Sequence, residues 1–370
     1  MKINKTFKNI FALSLVAILT ACGGGEAQVS NENLDLNSLS LTDLEEKARA
    51  EGRIETAGMP RDWANWGDTY DQMKEKYGIE INDTYMTSAE ELAMFEAEKN
   101  DATKDIGDVG QSYGPVAVDK GVALPYKTSY WDDIPDWAKD HEGNYIVAYY
   151  GTICAVTNLD QVEEAPESWE DILAGDYKVT LGDVTTASQA QNTVLSAAMS
   201  KGGDESNIDP GIGLFRELAE AGRLDTGNVN VQRLESGEIQ VGMFFDFNAI
   251  NFVNAIKERN PNANYAITIL QDGAAQSGYT TIINKYSKRP HAAALLREYI
   301  LSDQGQINLA KGYARPIRDN VEIPADIKEK FLDDELYKNA KPIEDVKAWE
   351  ATTKTIGEKW QNEVITNLKN

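Results

Sequence analysis

From residue 42 onward the chain alternates between two hydrophobic periods. Short stretches with an every-second or continuous apolar pattern, "GRIETAG" (52–58), "IEINDTY" (79–85) and "KDIGDVG" (104–110), predict strands. Between them, "GDTYDQMKEKYG" (67–78) and "SAEELAMFEAEKN" (88–100) have the 3.6-residue spacing of amphipathic helices, with Ser88 placed to cap the second. Thr42 and Glu45 have capping-box spacing for a first helix that Gly52 ends. Strict strand–helix alternation predicts a mostly parallel α/β sheet.

The middle of the chain repeats this logic at other spacings. "NYIVAYYGTICAVTN" (144–158) is a long apolar strand, "ESWEDILAGDY" (167–177) a short helix and "KVTLGDV" (178–184) a strand. "SQAQNTVLSAAMSKGG" (188–203) is a helix that Ser188 is placed to cap, and "QVGMFFDFNAINFVNAI" (240–256) a strand running into a helix. After residue 275 the first pattern returns, with the strand "GYTTIINKY" (278–286) and a helical run, "HAAALLREYILSDQGQINLAKG" (291–312), that Gly312 stops. The expected organisation is a first lobe of residues 42–148 plus 275–370, with a second lobe, 149–274, inserted between.

The amino end reads differently. Lys2, Lys5 and Lys8 precede an apolar run too short to span a bilayer, which suits a secretory signal over residues 1–21. That run closes in "LTAC" followed by "GGG", a pattern that resembles the lipobox of bacterial lipoproteins, in which the thiol of the cysteine, here Cys22, is acylated. Such a chain is anchored to a membrane rather than spanning it. Residues 22–41, rich in Gly, Asn and Ser, read as a flexible tether.

Composition narrows the function. The 370-residue chain has a formal charge of −24, which becomes about −27 once the three leader lysines are gone. No basic block offers the clustered Lys and Arg that phosphate neutralisation needs, so nucleic acid is excluded as a partner. With Cys22 acylated, Cys154 has no disulfide partner and reads as a small buried hydrophobe. Two histidines in unrelated contexts, with no metalloprotease, phosphate-loop or nucleophile-elbow motif, argue against an enzyme; a hydrolase using carboxylates alone is the alternative of another class. His291, after Pro290, reads as a solvated or capping residue at a helix start.

The lipobox, "ANWGDTYDQMKEKYGIEIN" (64–82), "YYGTICAVTNLDQVEEAPESWEDILAGDYKVTLGDV" (149–184) and "REYILSDQGQINLAKGYARPIR" (297–318) together resemble the extracellular solute-binding proteins of bacterial ABC importers. The likeness is to the branch that handles ferric iron, polyamines, thiamine and 2-aminoethylphosphonate, and it runs from about residue 50 to the end. Within it Pro166, Ser168, Trp169, Asp171, Ile172, Leu173, Tyr177 and Lys178 match a family segment that follows the strand crossing between lobes. The resemblance implies a type II periplasmic-binding fold: two α/β lobes around a hinge, closing on a small polar solute. It also implies delivery to an ABC permease and its ATPase, no cofactor, a monomer, and a place on the bacterial cell envelope facing the periplasm or the exterior.

The paired Tyr149 and Tyr150 are the obvious candidates for a ferric site, but in iron binders of this family the pair follows the strand that here reads "VGMFF". At that place stand Phe244, Phe245, Asp246, Phe247 and Asn248, and side chains alternate along a strand, so Tyr149 and Tyr150 are not expected to share one cleft. No metal is expected. Open α/β sheets bind ligands at the carboxyl ends of their strands. That rule nominates Arg61, Trp63 and Trp66 after the first strand, Tyr85 after the second, and Ser112 and Tyr113 after the third. At the hinge it adds Tyr149 and Thr152; in the second lobe Thr185, Ser188, Phe245, Asp246 and Asn248; and on return Tyr279, Tyr313 and Arg315. Hydroxyls, aromatics and charges of both signs suit a zwitterion such as 2-aminoethylphosphonate, then a polyamine, then a ferric complex, with Asp246 expected to take the ammonium group.

Acyl attachment needs the thiol of Cys22. Cys22→Ser is therefore expected to abolish partition of the expressed protein into detergent; partition equal to wild type would exclude the anchor.

Overall fold

The computed structural model describes residues 31–369. The signal segment, Cys22 and the first part of the tether lie outside the described residues. Lobe 1 opens with α1 (Leu41–Glu51), β1 (Arg53–Ala57), α2 (Trp66–Tyr77), β2 (Glu80–Thr84), α3 (Ser88–Glu98), β3 (Ile106–Gly110) and α4 (Tyr113–Asp119). Then β4 (Tyr145–Asn158) crosses to lobe 2, which holds α5 (Trp169–Ala174), β5 (Val179–Thr180), α6 (Ser188–Ser200), α7 (Asp209–Glu220), β6 (Leu224–Asp225), α8 (Val231–Glu235), β7 (Val241–Phe245), α9 (Asp246–Arg259) and β8 (Tyr265–Thr268). The chain returns on β9 (Ala274–Ile283) to α10 (Pro290–Leu301), α11 (Asp303–Lys311), β10 (Arg315–Pro316) and α12 (Ala325–Lys328). It ends with β11 (Ala340–Pro342) and α13 (Val346–Glu363).

The sheet order is β2-β1-β3-β9-β4-β7-β5-β6. The outer strands are parallel as expected: β1 with β2 and β3, and β5 with β6 and β7. The two centre strands are not. β9 runs antiparallel to β3 and β4, and β4 antiparallel to β7 and β8, because each of them is also a crossing between lobes. Their pairing extends from Tyr145 opposite Ile282 to Thr152 opposite Gln276. Fourteen residues of β4 are enough for its first half to pair in the sheet of lobe 1 and its second half in that of lobe 2.

Local chemistry sets the ends of the elements. Ser40, not Thr42, caps α1 by accepting the Asp43 N–H, and Gly52 ends the helix at φ 69°, a conformation that glycine adopts without strain. The run read as one helix over 291–312 breaks at Ser302, which turns extended and caps α11, and Gly312 ends α11 as expected. Glu51, at the end of α1, accepts from the backbone of Ala292 (2.7 Å) and contacts Nδ1 of His291 (2.6 Å), an acidic cap on the amino end of α10. His291 is thus held in a helix-capping arrangement.

Two expected boundaries are corrected. From Asn31 the segment read as tether is docked: the Asn31 amide donates to the carbonyls of Lys285 and Ser287, Asn37 accepts from the Lys127 N–H, and Leu36 is 1% exposed within the main core. An isolated leucine in a polar stretch is a weak signal, and burying it outweighs the apparent flexibility. The carboxyl end does not stay in lobe 1. The chain crosses a third time before β11, and α13 packs on α7, with Trp360 edge-on to Phe215 and Thr352 donating to the Glu205 carbonyl.

Leu36→Ala is expected to cost about 2–5 kcal/mol in denaturant unfolding, the range for a buried leucine. A free tether would show no change.

Candidate functional site

The carboxyl ends of the parallel strands in both lobes face one another across a cavity of about 550 Å³. Lobe 1 contributes the turn after β1 (Gly58, Trp63), the segment from Tyr85 to Ser88 that opens α3, and Asp108 of β3. Lobe 2 contributes Leu181 to Asp183, the stretch from Thr186 to Ala190 that opens α6, and the loop from Asn228 to Asn230. Tyr279 of β9 closes the floor.

Both facing helix ends present donors. The amino end of α6 has Ala187 at its cap position and no side chain accepting there, so its first-turn N–H groups are left for solvent or a ligand. Asp183, just before it, is saturated by the Thr185 N–H and the hydroxyls of Thr185 and Thr186. Ser188 Oγ accepts from Asn192 and Ser88 Oγ accepts from Gly110 N–H, which leaves each serine its own proton to give. On α3, Glu90 takes the Thr87 N–H and hydroxyl as an N-terminal box. The described residues lining the cavity include no Lys or Arg.

Behind the cavity floor is an aromatic cluster shared by the lobes. Tyr149 stacks on Tyr279 at 5.5 Å; Phe247 stands edge-on to both and to Trp63, and Phe245 stacks on Phe247. Trp63 Nε1 donates to the Tyr149 hydroxyl (2.8 Å), which donates to Asp108 Oδ2 (2.6 Å). Burial pushes the carboxyl of Asp108 well above the usual range, opposed by the Tyr149 hydrogen bond, and pushes the Tyr149 phenol up as well.

Four of the nominated residues, Trp63, Tyr85, Ser188 and Tyr279, line the cavity, and Tyr85 stands in it 69% exposed. Tyr149 lies just beneath. Tyr113 is buried at the interlobe seam, where its hydroxyl meets Gln191 Nε2 at 3.1 Å; Ser112 is buried beside it. The others are elsewhere. Arg61 pairs with Asp71 on the surface (2.7 Å), because the turn after β1 points its side chain back onto α2. Trp66 is fully buried as the first residue of α2, and Thr185 is turned onto Asp183. Phe245 and Asn248 are buried in lobe 2, and Tyr313 accepts from Asn254 at an outer interlobe contact. Arg315 lies over the Tyr337 ring at 4.3 Å and pairs with Asp334.

Asp246, nominated for the ammonium group, does not line the cavity. It is 1% exposed, Oδ1 accepting the N–H groups of Thr152 and Phe247 and Oδ2 the Tyr337 hydroxyl. It joins the crossing strand β4, the start of α9 and the third crossing. The neighbouring tyrosines separate as alternation requires: Tyr149 points into the aromatic cluster, Tyr150 into a second cavity behind the hinge with Trp137 and Ile317. Cys154 is a free thiol, fully buried as expected. Among the described residues no group of three or more His, Cys, Asp or Glu is placed to hold a metal ion, and no helix is long and apolar enough to cross a membrane.

Asn228, Asn230 and Asp183 were not nominated. Only the pairing of β5 with β6 brings the 228–230 loop to the cleft, and β6 is two residues long, too short to carry a periodic signal.

Two lobes, three crossings and a cleft between opposed strand ends define the type II periplasmic-binding architecture. The chain belongs to the bacterial extracellular solute-binding protein family, whose profile matches residues 101–339. It is thus a substrate-binding component of the kind that serves ABC importers. Among solved structures it is similar to the periplasmic binding protein AfuA from Actinobacillus pleuropneumoniae, with bound fructose-6-phosphate (18% identity, TM-score 0.70, covering 85% of this chain and 99% of that one). It is also similar to the Atu4243 GABA receptor (18%, TM-score 0.63, covering 84% and 96%). A third is the ferric binding protein from Campylobacter jejuni (17%, TM-score 0.62, covering 84% and 98%). At these identities the likeness is one of fold. No curated protein sequence matches the chain.

The lobes meet where Gly110 faces Ser188: a Cβ on Gly110 would overlap Ser188 Oγ and Cβ. Gly110→Ala is expected to hold the lobes apart, raising the radius of gyration in solution scattering while leaving the unfolding midpoint within error. An unchanged radius would mean that this contact does not limit closure.

Proposed function

We propose that this protein captures a small zwitterionic solute, an organophosphonate such as 2-aminoethylphosphonate, between its lobes. The closed form then presents both lobes to a permease at the cell envelope, where acylated Cys22 would tether it as a monomer. The observation that carries the reading is the uncapped amino end of α6 on the cavity wall, with Ser188 and, opposite it, Ser88 holding free hydroxyl protons. Backbone N–H groups at a helix start, aided by the helix dipole, suit a phosphonate or other compact anion without needing a cationic side chain. Aromatic faces and carboxyl groups on the other walls suit an ammonium group, and a cavity of about 550 Å³ is ample for a solute of this size.

The lack of Lys or Arg among the described lining residues, beside Glu90, Asp108 and Asp183, supports a polyamine as the second reading. Ferric iron is less well supported, since Tyr149 and Tyr150 point to opposite faces and Phe244 to Asn248 bring no phenol. The neighbours named for a sugar phosphate, GABA and ferric iron show that one fold admits all these classes.

A thermal-shift screen of 2-aminoethylphosphonate, spermidine, fructose-6-phosphate and ferric citrate tests the reading. A cleft solute at 100 times its Kd stabilises by about 2.7 kcal/mol, so the organophosphonate is expected to give the largest rise in Tm. A rise with spermidine alone would transfer the proposal to polyamines, and a rise with ferric citrate and a coloured protein would overturn both.

A further inference from the structure

Among the described residues, Asp108 is the one carboxyl on the cavity wall that is both buried, at 2% exposure, and incompletely bonded: Oδ2 receives the Tyr149 hydroxyl, whereas Oδ1 has no hydrogen-bond partner. A charged carboxylate in that condition would forfeit its hydration with one oxygen uncompensated. Besides Tyr149, the indole of the buried Trp66 favours the charged form, while carboxyls and phenols make up much of the rest. From α3 comes Glu91, fully buried with both oxygens unpartnered against Gly58 and Gly107; from β2 comes Asp83, bonded to Thr56 and the Met59 N–H. From α2 comes Tyr70, from β4 Tyr149 and from β9 Tyr279, all as neutral phenols, while Glu90, Tyr85 and Asp183 stand around the cavity. Lys104 acts on Asp83 and is bonded to Thr84, and Arg61 is turned outward to Asp71. Burial and the neighbouring carboxyls push Asp108 and Glu91 well above the usual carboxylate range.

We propose that Asp108 receives the cationic end of the solute between Trp63 and Tyr279, and that the incoming ammonium displaces a proton from this carboxyl, so that capture releases a proton and weakens in acid. The inference rests on the cationic half of the proposed function and names the group that serves it. The exchange balances: a neutral carboxyl and an ammonium group become a carboxylate–ammonium pair, the ammonium keeps its three protons, and the carboxyl proton passes to solvent. Tyr149 keeps its hydrogen bond to Oδ2 throughout, which leaves Oδ1 to the ammonium group. The solute binds the deprotonated form better, so affinity rises with pH until the carboxyl of the free protein has titrated, then levels off. Within that window the dependence is at most about tenfold per pH unit for a single proton.

The test is titration calorimetry in buffers of different ionisation enthalpy, which counts protons directly, with ethanolamine, spermidine, 2-aminoethylphosphonate and ethylphosphonate as probes. The expected result is close to one proton released per amine-bearing probe, none with ethylphosphonate, and loss of both the release and about thirtyfold or more in affinity in Asp108→Asn. Infrared spectroscopy of the probe-free protein, against Asp108→Asn, is expected to show a protonated carboxyl that disappears when an amine is added. If Asp108 is already ionised without a probe, or if amines bind with no proton release and equal affinity in Asp108→Asn, the proposal is overturned. It is overturned too if no amine binds. If simple amines release the proton but 2-aminoethylphosphonate does not bind, this inference stands and the organophosphonate reading fails.

Discussion

The structure depends on the pairing of β4 with β9 across both lobes. Two antiparallel strands joined from Tyr145–Ile282 to Thr152–Gln276 form a ribbon that is stiff along its length and pliable in bending and twist. Each lobe's parallel strands are built outward from it, which directs their carboxyl ends toward the gap. The cleft therefore follows from topology, since strand ends that would be solvent-facing loops in a single α/β domain are turned to face a second set. The third crossing and α13 then restrict the paths that closure takes, because β11 pairs with β9 at Ala274–Gln276, on the lobe 2 side of the ribbon.

The floor of the cleft shows how a buried polar group is tolerated there. Trp63, Tyr149 and Asp108 form a chain of hydrogen bonds inside an aromatic shell that combines residues of both lobes, Trp63 and Tyr279 on one side and Phe245 and Phe247 on the other. The shell keeps water from the carboxyl, and edge-on and stacked contacts fix the geometry of the tyrosine that orients it. Polar groups built this way are held in position by the fold itself.

What the sequence disclosed is uneven for physical reasons. Elements with a sustained period were legible: β1, β2 and β3 lie within the stretches read for them, and Gly52 and Gly312 end their helices where expected. The long apolar run over 144–158 was recognisable as a crossing strand. Its antiparallel place between β9 and β7 was not, because a continuous hydrophobic pattern is the same for either direction. Leu36 and the carboxyl-terminal helix were assigned to the wrong places because docking of a segment on a distant surface leaves no local periodicity. Of the residues the strand-end rule nominated, Trp63, Tyr85, Ser188 and Tyr279 line the cavity, but the rule could not tell which side chain of a turn faces inward, so Arg61 and Trp66 came with them.

Asp246 and Asp108 show where that limit lies. Both follow or sit within short buried strands, both have aromatic neighbours, and both are nearly inaccessible to solvent. What separates them is the number of donors the fold supplies. Asp246 begins a helix and faces an oncoming strand, so two N–H groups and the Tyr337 hydroxyl engage both oxygens, and its charge is balanced further by Arg315. Asp108 lies inside a strand, where no helix start offers its carboxyl N–H groups, and it receives the Tyr149 phenol on Oδ2 with the Trp66 indole nearby. A carboxyl with a full set of donors is a structural joint, whereas one with a vacant acceptor on a cavity wall retains binding capacity for a partner from outside. That difference arises from tertiary placement of Tyr337 and Thr152, residues 91 and 94 positions away in sequence from Asp246, and so lies beyond any reading of local pattern.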